Sequence, residues 1–250
     1  MDPLKPRAQL QDLPIYDNVM QFKRAGDSFR LIATVYSLLM IWDSKKSTGF
    51  SGKSQVLFAI VYTARYFGAY KGDIRVLNGF EILLRITLLC STYFMVYLIY
   101  YKFAYNSSRE QDKFRIGYPI VLCGFLGISY NTGFADHVID YDELRWFGIP
   151  FVEIGWAFSY YLEAVAILPQ LMMQQYTRKN PEKQDFVNVY LKLMCVSRLM
   201  YSIYSIIEEK FDVISAVSGV IQLCSYLGYF WLQGGLDRKS DRSKMIEDDV

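Results

Sequence analysis

Between Asp212 and Asp237 the chain carries no charged residue. That interval is long enough to cross the hydrocarbon core of a bilayer, which takes about 20 mostly apolar residues in helical form. A soluble surface helix of the same length needs a polar face. Six further apolar stretches come close to this length, and the seven together run roughly over residues 27–42, 54–70, 81–101, 116–134, 149–173, 187–207 and 212–233. Charged residues make up 21% of the chain, enough for a soluble domain, but they cluster between these runs. Their distribution therefore decides the class: an all-α membrane protein with seven transmembrane helices.

Three segments follow from this pattern. Residues 1–21 are polar and carry Pro3, Pro6 and Pro14; without the apolar core of a cleaved signal peptide, they leave the first span to act as the insertion signal. Residues 22–233 hold the seven spans, and residues 234–250 form a tail that opens on a Gly234–Gly235 hinge and mixes both charge signs. A net charge of +2 offers no surface for a polyanion, so nucleic acid is not an expected partner.

Catalytic chemistry finds little to work with. Cys90, Cys123, Cys195 and Cys224 all fall inside predicted spans at no metal-ligand spacing, as packing thiols would. The single histidine, His137, lies in a polar loop, which removes histidine-based zinc and triad chemistry. Neither a nucleophile–base pair nor a phosphate loop is present, so the chain reads as a non-enzyme with no metal or cofactor.

Basic loop residues tend to remain cytosolic. One set of connections holds Lys45, Lys46 and Lys53, then Lys102, Arg109, Lys113 and Arg115, then Arg178, Lys179 and Lys183, and finally the tail with Arg238, Lys239, Arg242 and Lys244. The opposite set has only Lys71, Arg75, Arg145 and Lys210, with acidic Asp136, Asp140, Asp142 and Glu143 among them. A lumenal N-terminus and a cytosolic tail follow, against the pull of Lys23 and Arg24 beside the first span. The sequon at Asn106 then faces the cytosol.

Helix neighbours recur at three and four residues. Polar side chains take that spacing inside the spans: Asp27, Arg30, Thr34 and Ser37 in the first; Tyr62, Arg65 and Tyr66 in the second; Glu153, Trp156, Tyr160 and Glu163 in the fifth; Arg198, Tyr201, Ser205 and Glu208 in the sixth; Ser215, Ser218, Gln222 and Ser225 in the seventh. A charge at the centre of a lipid-facing helix costs about 2.5–3.5 kcal/mol, so these faces are expected to converge on a shared interior. The bland outcome is mutual pairing as internal glue. The functional outcome is a ligand cavity, where guanidinium groups hold carboxylates bidentately and Trp156 beside Glu153 holds a cation. Such a cavity suits a peptide end or a zwitterionic metabolite, and periodicity leaves receptor and transporter both open.

Three strings are more specific. GFSGKSQVLFAIVYTARY (Gly49 to Tyr66), VYLIYYKF (Val96 to Phe103) and WAFSYYLEAVAILPQL (Trp156 to Leu171) closely resemble the KDEL receptor family, also called ER lumen protein-retaining receptors. Weaker similarity runs from Phe22 to about Phe230. The resemblance implies a fold like that of SWEET and PQ-loop proteins, two three-helix repeats joined by a fourth span in a 3+1+3 arrangement, with the site near the midplane. It implies a receptor that binds a C-terminal Lys-Asp-Glu-Leu or similar signal in the acidic Golgi, returns it to the endoplasmic reticulum in coatomer-coated vesicles and releases it at neutral pH. It assigns Arg65 and Tyr66 to the signal's carboxylate, Glu153 and Trp156 to its fourth-last residue, and Glu163, Arg198 and Tyr201 to the cavity lining. Lys23 stands where the family has an arginine contacting an acidic signal residue.

Other positions depart from the family. Its pH-sensing histidine in the first span is Arg30 here, which stays protonated at physiological pH. A pairing of Arg30 with Glu163 would then hold the cavity in one charge state, leaving buried Glu153 or Glu163 as the remaining source of a pH response. A tyrosine becomes Ser197, a tryptophan Ser205, and two aspartates Gly68 and Gly228. An arginine becomes Glu208, a reversal that should turn selectivity away from acidic signal residues. In the tail, Lys239 and Lys244 are the candidate coatomer contacts, ahead of an unusually acidic finish at Glu247, Asp248 and Asp249.

Overall fold

A computed structural model describes residues 14–45, 49–72, 79–104, 112, 114–134, 145–146, 149–177, 181–207 and 213–248. Eight helices account for nearly all of them: α1 (Pro14–Ser44), α2 (Gly52–Gly72), α3 (Gly79–Tyr97), α4 (Gly117–Phe134), α5 (Phe151–Ala166), α6 (Leu168–Thr177), α7 (Pro181–Ile207) and α8 (Val213–Asp248). A two-residue antiparallel pair precedes α5, with Arg145 opposite Pro150 and Trp146 opposite Ile149. It is the one strand pairing among the described residues.

Two ends differ from the sequence expectation. Helix α1 starts at Pro14, inside the polar N-terminal segment and ahead of the first apolar run, because proline is well tolerated in a first helical turn whose N–H groups have no helical partner. Helix α8 runs through Gly234 and Gly235 to Asp248 without the expected hinge; glycine weakens a helix by about 1 kcal/mol but does not forbid one.

The helices pack as a bundle in which α1 lies along α7 and α3, α2 along α5 and α3, α4 along α5, and α8 along α7 and α5. Small residues set the closest approaches. A Cβ on Gly127 of α4 would stand 3.1 Å from the Ile154 carbonyl of α5, and one on Gly26 of α1 would meet the Tyr201 ring of α7 at 3.0 Å. Helix α3 ends in a π-helical turn, Leu98–Lys102, closed by the Phe103 amide on the Leu98 carbonyl at 2.8 Å. Lys102 Nζ there lies 3.5 Å from the centre of the Trp42 ring.

The fifth apolar run is two helices, broken at Ile167. Pro169 has no N–H to give the Val165 carbonyl, and Ser54 Oγ donates to the Ala166 carbonyl at 2.6 Å. One turn on, the Gln170 amide clamps the entry to α2: Nε2 donates to the Gly49 carbonyl at 2.7 Å, and Oε1 accepts from the Ser51 amide at 2.7 Å. Gly49 has φ of 98°, a conformation that costs little only without a side chain. Ser51 Oγ caps α2 by accepting from the Ser54 amide at 3.2 Å, and it donates to Asp112 Oδ2 at 2.6 Å. The Asp112 carboxylate also accepts from the Lys53 amide, an anion at a helix N-terminus.

Around an apolar core, large apolar side chains also cover the outside of the bundle while several charged and amide groups lie inside. Leu39, Trp42, Leu83, Val121, Phe125 and Trp231 are more than half exposed, while Arg30, Glu163, Gln170, Arg198 and Gln222 are buried. Water favours the reverse; an apolar solvent around the bundle favours this. Among the described residues, Gly79–Lys102 and Val213–Gly235 are helices long and apolar enough to cross a membrane by length and composition, and Gly117–Ser129 is a shorter apolar one. The remaining helices carry the interior charges, which lowers their hydropathy.

Candidate functional site

Four helices deliver one charge each to the centre of the bundle. Glu163 of α5 has no solvent-exposed surface. Its Oε1 accepts from Arg30 Nη2 of α1 at 2.5 Å. Its Oε2 lies 2.6 Å from Arg65 Nη2 of α2 and 3.3 Å from Arg198 Nη1 of α7. A single carboxylate thus holds three guanidinium groups, each from a different helix. In a medium of low dielectric the pairing is what makes burial tolerable, and removing the shared anion leaves uncompensated cations, at a cost of roughly 3–5 kcal/mol.

Aromatic and hydroxyl groups take up the remaining guanidinium surface. Arg30 lies over Tyr62 and Tyr201, 5.5 and 4.8 Å from the ring centres. Arg65 lies 4.4 Å from the centre of the Tyr160 ring and donates from Nε to Ser159 Oγ at 3.2 Å. Arg198 Nη2 donates to Ser218 Oγ of α8 at 2.7 Å. The Nε atoms of Arg30 and Arg198 are buried without a hydrogen-bond partner. Asp27, one turn before Arg30, accepts from the Tyr201 hydroxyl. With Asp27 counted, the cluster retains one positive charge in excess.

Of the residues singled out from sequence, Arg30, Arg65, Glu163, Arg198 and Tyr201 meet in this cage. Tyr66 is buried beside it, stacked on Tyr62 at 6.1 Å between ring centres and approached by Arg85. Trp156 lies further out, edge-on to Tyr160 at 4.9 Å. It reaches the arginines through that ring rather than by direct contact. Lys23 is turned to α7, 5.5 Å from the Tyr204 ring centre, while the adjacent Arg24 turns to α3 and pairs with Glu81 at 3.2 Å. Ser197 ties α7 to α1 through the Gly26 carbonyl at 2.7 Å, and Ser205 meets Ser215 of α8 at 3.2 Å. All four cysteines are free thiols.

Glu153, Lys239 and Lys244 occupy helical positions, but their side chains lie outside the described residues, as do Glu208, His137 and Asn106 altogether. Sequence reasoning missed the Arg24–Glu81 pair, the Ser159 support of Arg65 and the Gln170–Asp112 network at α2. Pro169 inside an apolar run was the available signal for the last.

Chemically, the cage is an anion site with its own anion inside. The chain matches the family model described as ER lumen protein retaining receptor over residues 46–208, a range that includes three of the four charges. Similar proteins include ER lumen protein-retaining receptor 3 of Mus musculus, 35% identical over 215 residues, or 84% of this chain and 91% of the relative. ER lumen protein-retaining receptor erd-2.2 of Caenorhabditis elegans is 36% identical over 217 residues, 84% and 91% of the two chains. ER lumen protein-retaining receptor 2 of Homo sapiens is 35% identical over 215 residues, 84% and 92%.

Proposed function

The chain belongs to the ER lumen protein-retaining receptor family, and on that premise we propose that it binds C-terminal retention signals of lumenal proteins and returns them from the Golgi to the endoplasmic reticulum. The observation that carries this is the cage: a guanidinium, Arg65, whose side chain is 17% exposed while its partners Arg30 and Arg198 are 3% and 4% exposed. An arginine at the edge of a buried cationic cluster is the group a peptide carboxylate meets first.

In this proposal the bundle crosses the membrane seven times, α5 and α6 forming one broken span, and the first three and last three spans are repeats joined by α4. Residues 1–21 and the cage face the lumen; the tail is cytosolic and offers Lys239 and Lys244 to coatomer. Arg65 and Tyr66 take the signal's terminal carboxylate, Glu153 and Trp156 its fourth-last residue, and Lys23 an acidic residue between.

A binding assay with purified protein and a panel of C-terminal peptides tests the proposal. A peptide ending in Lys-Asp-Glu-Leu binds, its C-terminal amide does not, and Arg65→Ala loses at least roughly 2 kcal/mol, about thirtyfold in Kd. Equal binding of acid and amide would sink it.

The Arg30, Ser205 and Glu208 positions favour a receptor whose preferred signal is not an acidic tetrapeptide. Ser205, where the family resemblance gives a tryptophan, is a small buried side chain whose hydroxyl meets that of Ser215. In the same panel, basic or neutral residues at the interior signal positions then bind at least as tightly as Asp and Glu. An undiminished preference for acidic residues refutes that selectivity.

A further inference from the structure

Arg65 is the least buried arginine of the cage, its side chain 17% exposed, yet its guanidinium is already engaged by a carboxylate at 2.6 Å from a buried Nη2. A ligand carboxylate arriving there must displace Glu163. We propose, resting on the assignment of Arg65 to the signal's chain end, that Glu163 is a built-in stand-in for the ligand: it occupies Arg65 in the empty site and retires onto Arg30 and Arg198 when a peptide carboxylate enters.

The geometry allows the exchange without stranding either anion. Glu163 Oε1 belongs to Arg30 at 2.5 Å, and Oε2 is divided between Arg65 at 2.6 Å and Arg198 at 3.3 Å. Departure of Arg65 leaves each oxygen with a guanidinium. The two receiving arginines have donor capacity in reserve, since the Nε of each is buried and unpartnered, and satisfying such a donor is favourable. Arg65 itself keeps its other supports, the Ser159 hydroxyl and the Tyr160 face.

Charge drives the exchange forward. The empty cluster of three arginines, Glu163 and Asp27 holds one cation too many, and a monoanionic ligand end brings it to neutrality. No proton has to move, because one carboxylate replaces another. A neutral end cannot complete the cycle, as it would take Arg65 from Glu163 and return no charge. Glu163 is accordingly a positioning residue that sets a threshold: only full anions displace it.

The experiment is calorimetric binding in detergent of two ligands, a Lys-Asp-Glu-Leu peptide and N-acetyl-leucine, whose carboxylate is its only charge. Glu163→Gln frees Arg65, so N-acetyl-leucine binds roughly tenfold tighter than to the unaltered protein. Arg30→Gln leaves Glu163 more dependent on Arg65 and weakens binding of both ligands, and Arg30→Gln combined with Glu163→Gln regains the tight binding. If Glu163→Gln does not fold, the charge-balanced combination of Arg198→Gln and Glu163→Gln replaces it with the same expectation. Unchanged, weaker or absent binding of N-acetyl-leucine to the folded variant overturns the exchange. Receptor function fails separately, by an unaltered protein that binds the peptide no better than N-acetyl-leucine while Glu163→Gln still tightens both.

Discussion

At the scale of single residues, Arg30 is the side chain with the widest influence. Glu163, Arg65, Arg198, Tyr62, Tyr201 and Asp27 surround it from α5, α2, α7 and its own helix. None of them is a histidine, the side chain whose ordinary titration spans the pH difference between Golgi and endoplasmic reticulum. Arg30 keeps its charge across that range. Signal affinity is therefore expected to change by less than about threefold between pH 5.5 and 7.4, measured by calorimetry on purified protein, and Arg30→His should introduce a preference for the acidic condition. Tenfold tighter binding by the unaltered protein at pH 5.5 contradicts this. Helical spacing was enough to put Arg30, Arg65, Glu163 and Arg198 on inward faces. It could not say that one carboxylate would serve three arginines, since sharing depends on helix rotation and depth, which a period of 3.6 residues does not fix.

Elements bring a second polar assembly into view, at the end of α2 remote from the cage. Gln170 joins the break between α5 and α6 to the Gly49–Ser51 entry of α2, and Asp112 closes the same turn. Gln170→Ala removes two hydrogen bonds and leaves a buried carbonyl and amide unsatisfied, a loss of about 2–4 kcal/mol. It should lower the thermal midpoint of the detergent-solubilised protein; a midpoint unchanged within error would mean that the clamp contributes nothing. Gly127→Leu should be as damaging, because its side chain would enter the Ile154 and Phe158 backbone of α5. Apolar runs located all the main helices. The early start at Pro14, the break at Ile167 and the helical tail escaped, because proline, glycine and charge are statistical stops that neighbouring packing can override.

For the whole molecule, family membership and a mainly helical bundle were both legible in the three quoted strings and the run lengths. Orientation is read out by glycosylation. With the tail cytosolic, Asn106 receives no glycan in microsomes, whereas a sequon created by Asp73→Asn together with Arg75→Thr, in the connection between α2 and α3, does; a glycan on Asn106 inverts the arrangement. The buried charges also bear on how the chain is made. Arg30 and Arg65 leave the ribosome long before Glu163, and Arg198 follows later still, so each early cationic helix meets the lipid as a poor inserter, by about 2.5–3.5 kcal/mol per arginine. In the seven-span arrangement proposed above, α1 and α2 therefore need shelter at the translocon until Glu163, the carboxylate their arginines share, has been synthesised.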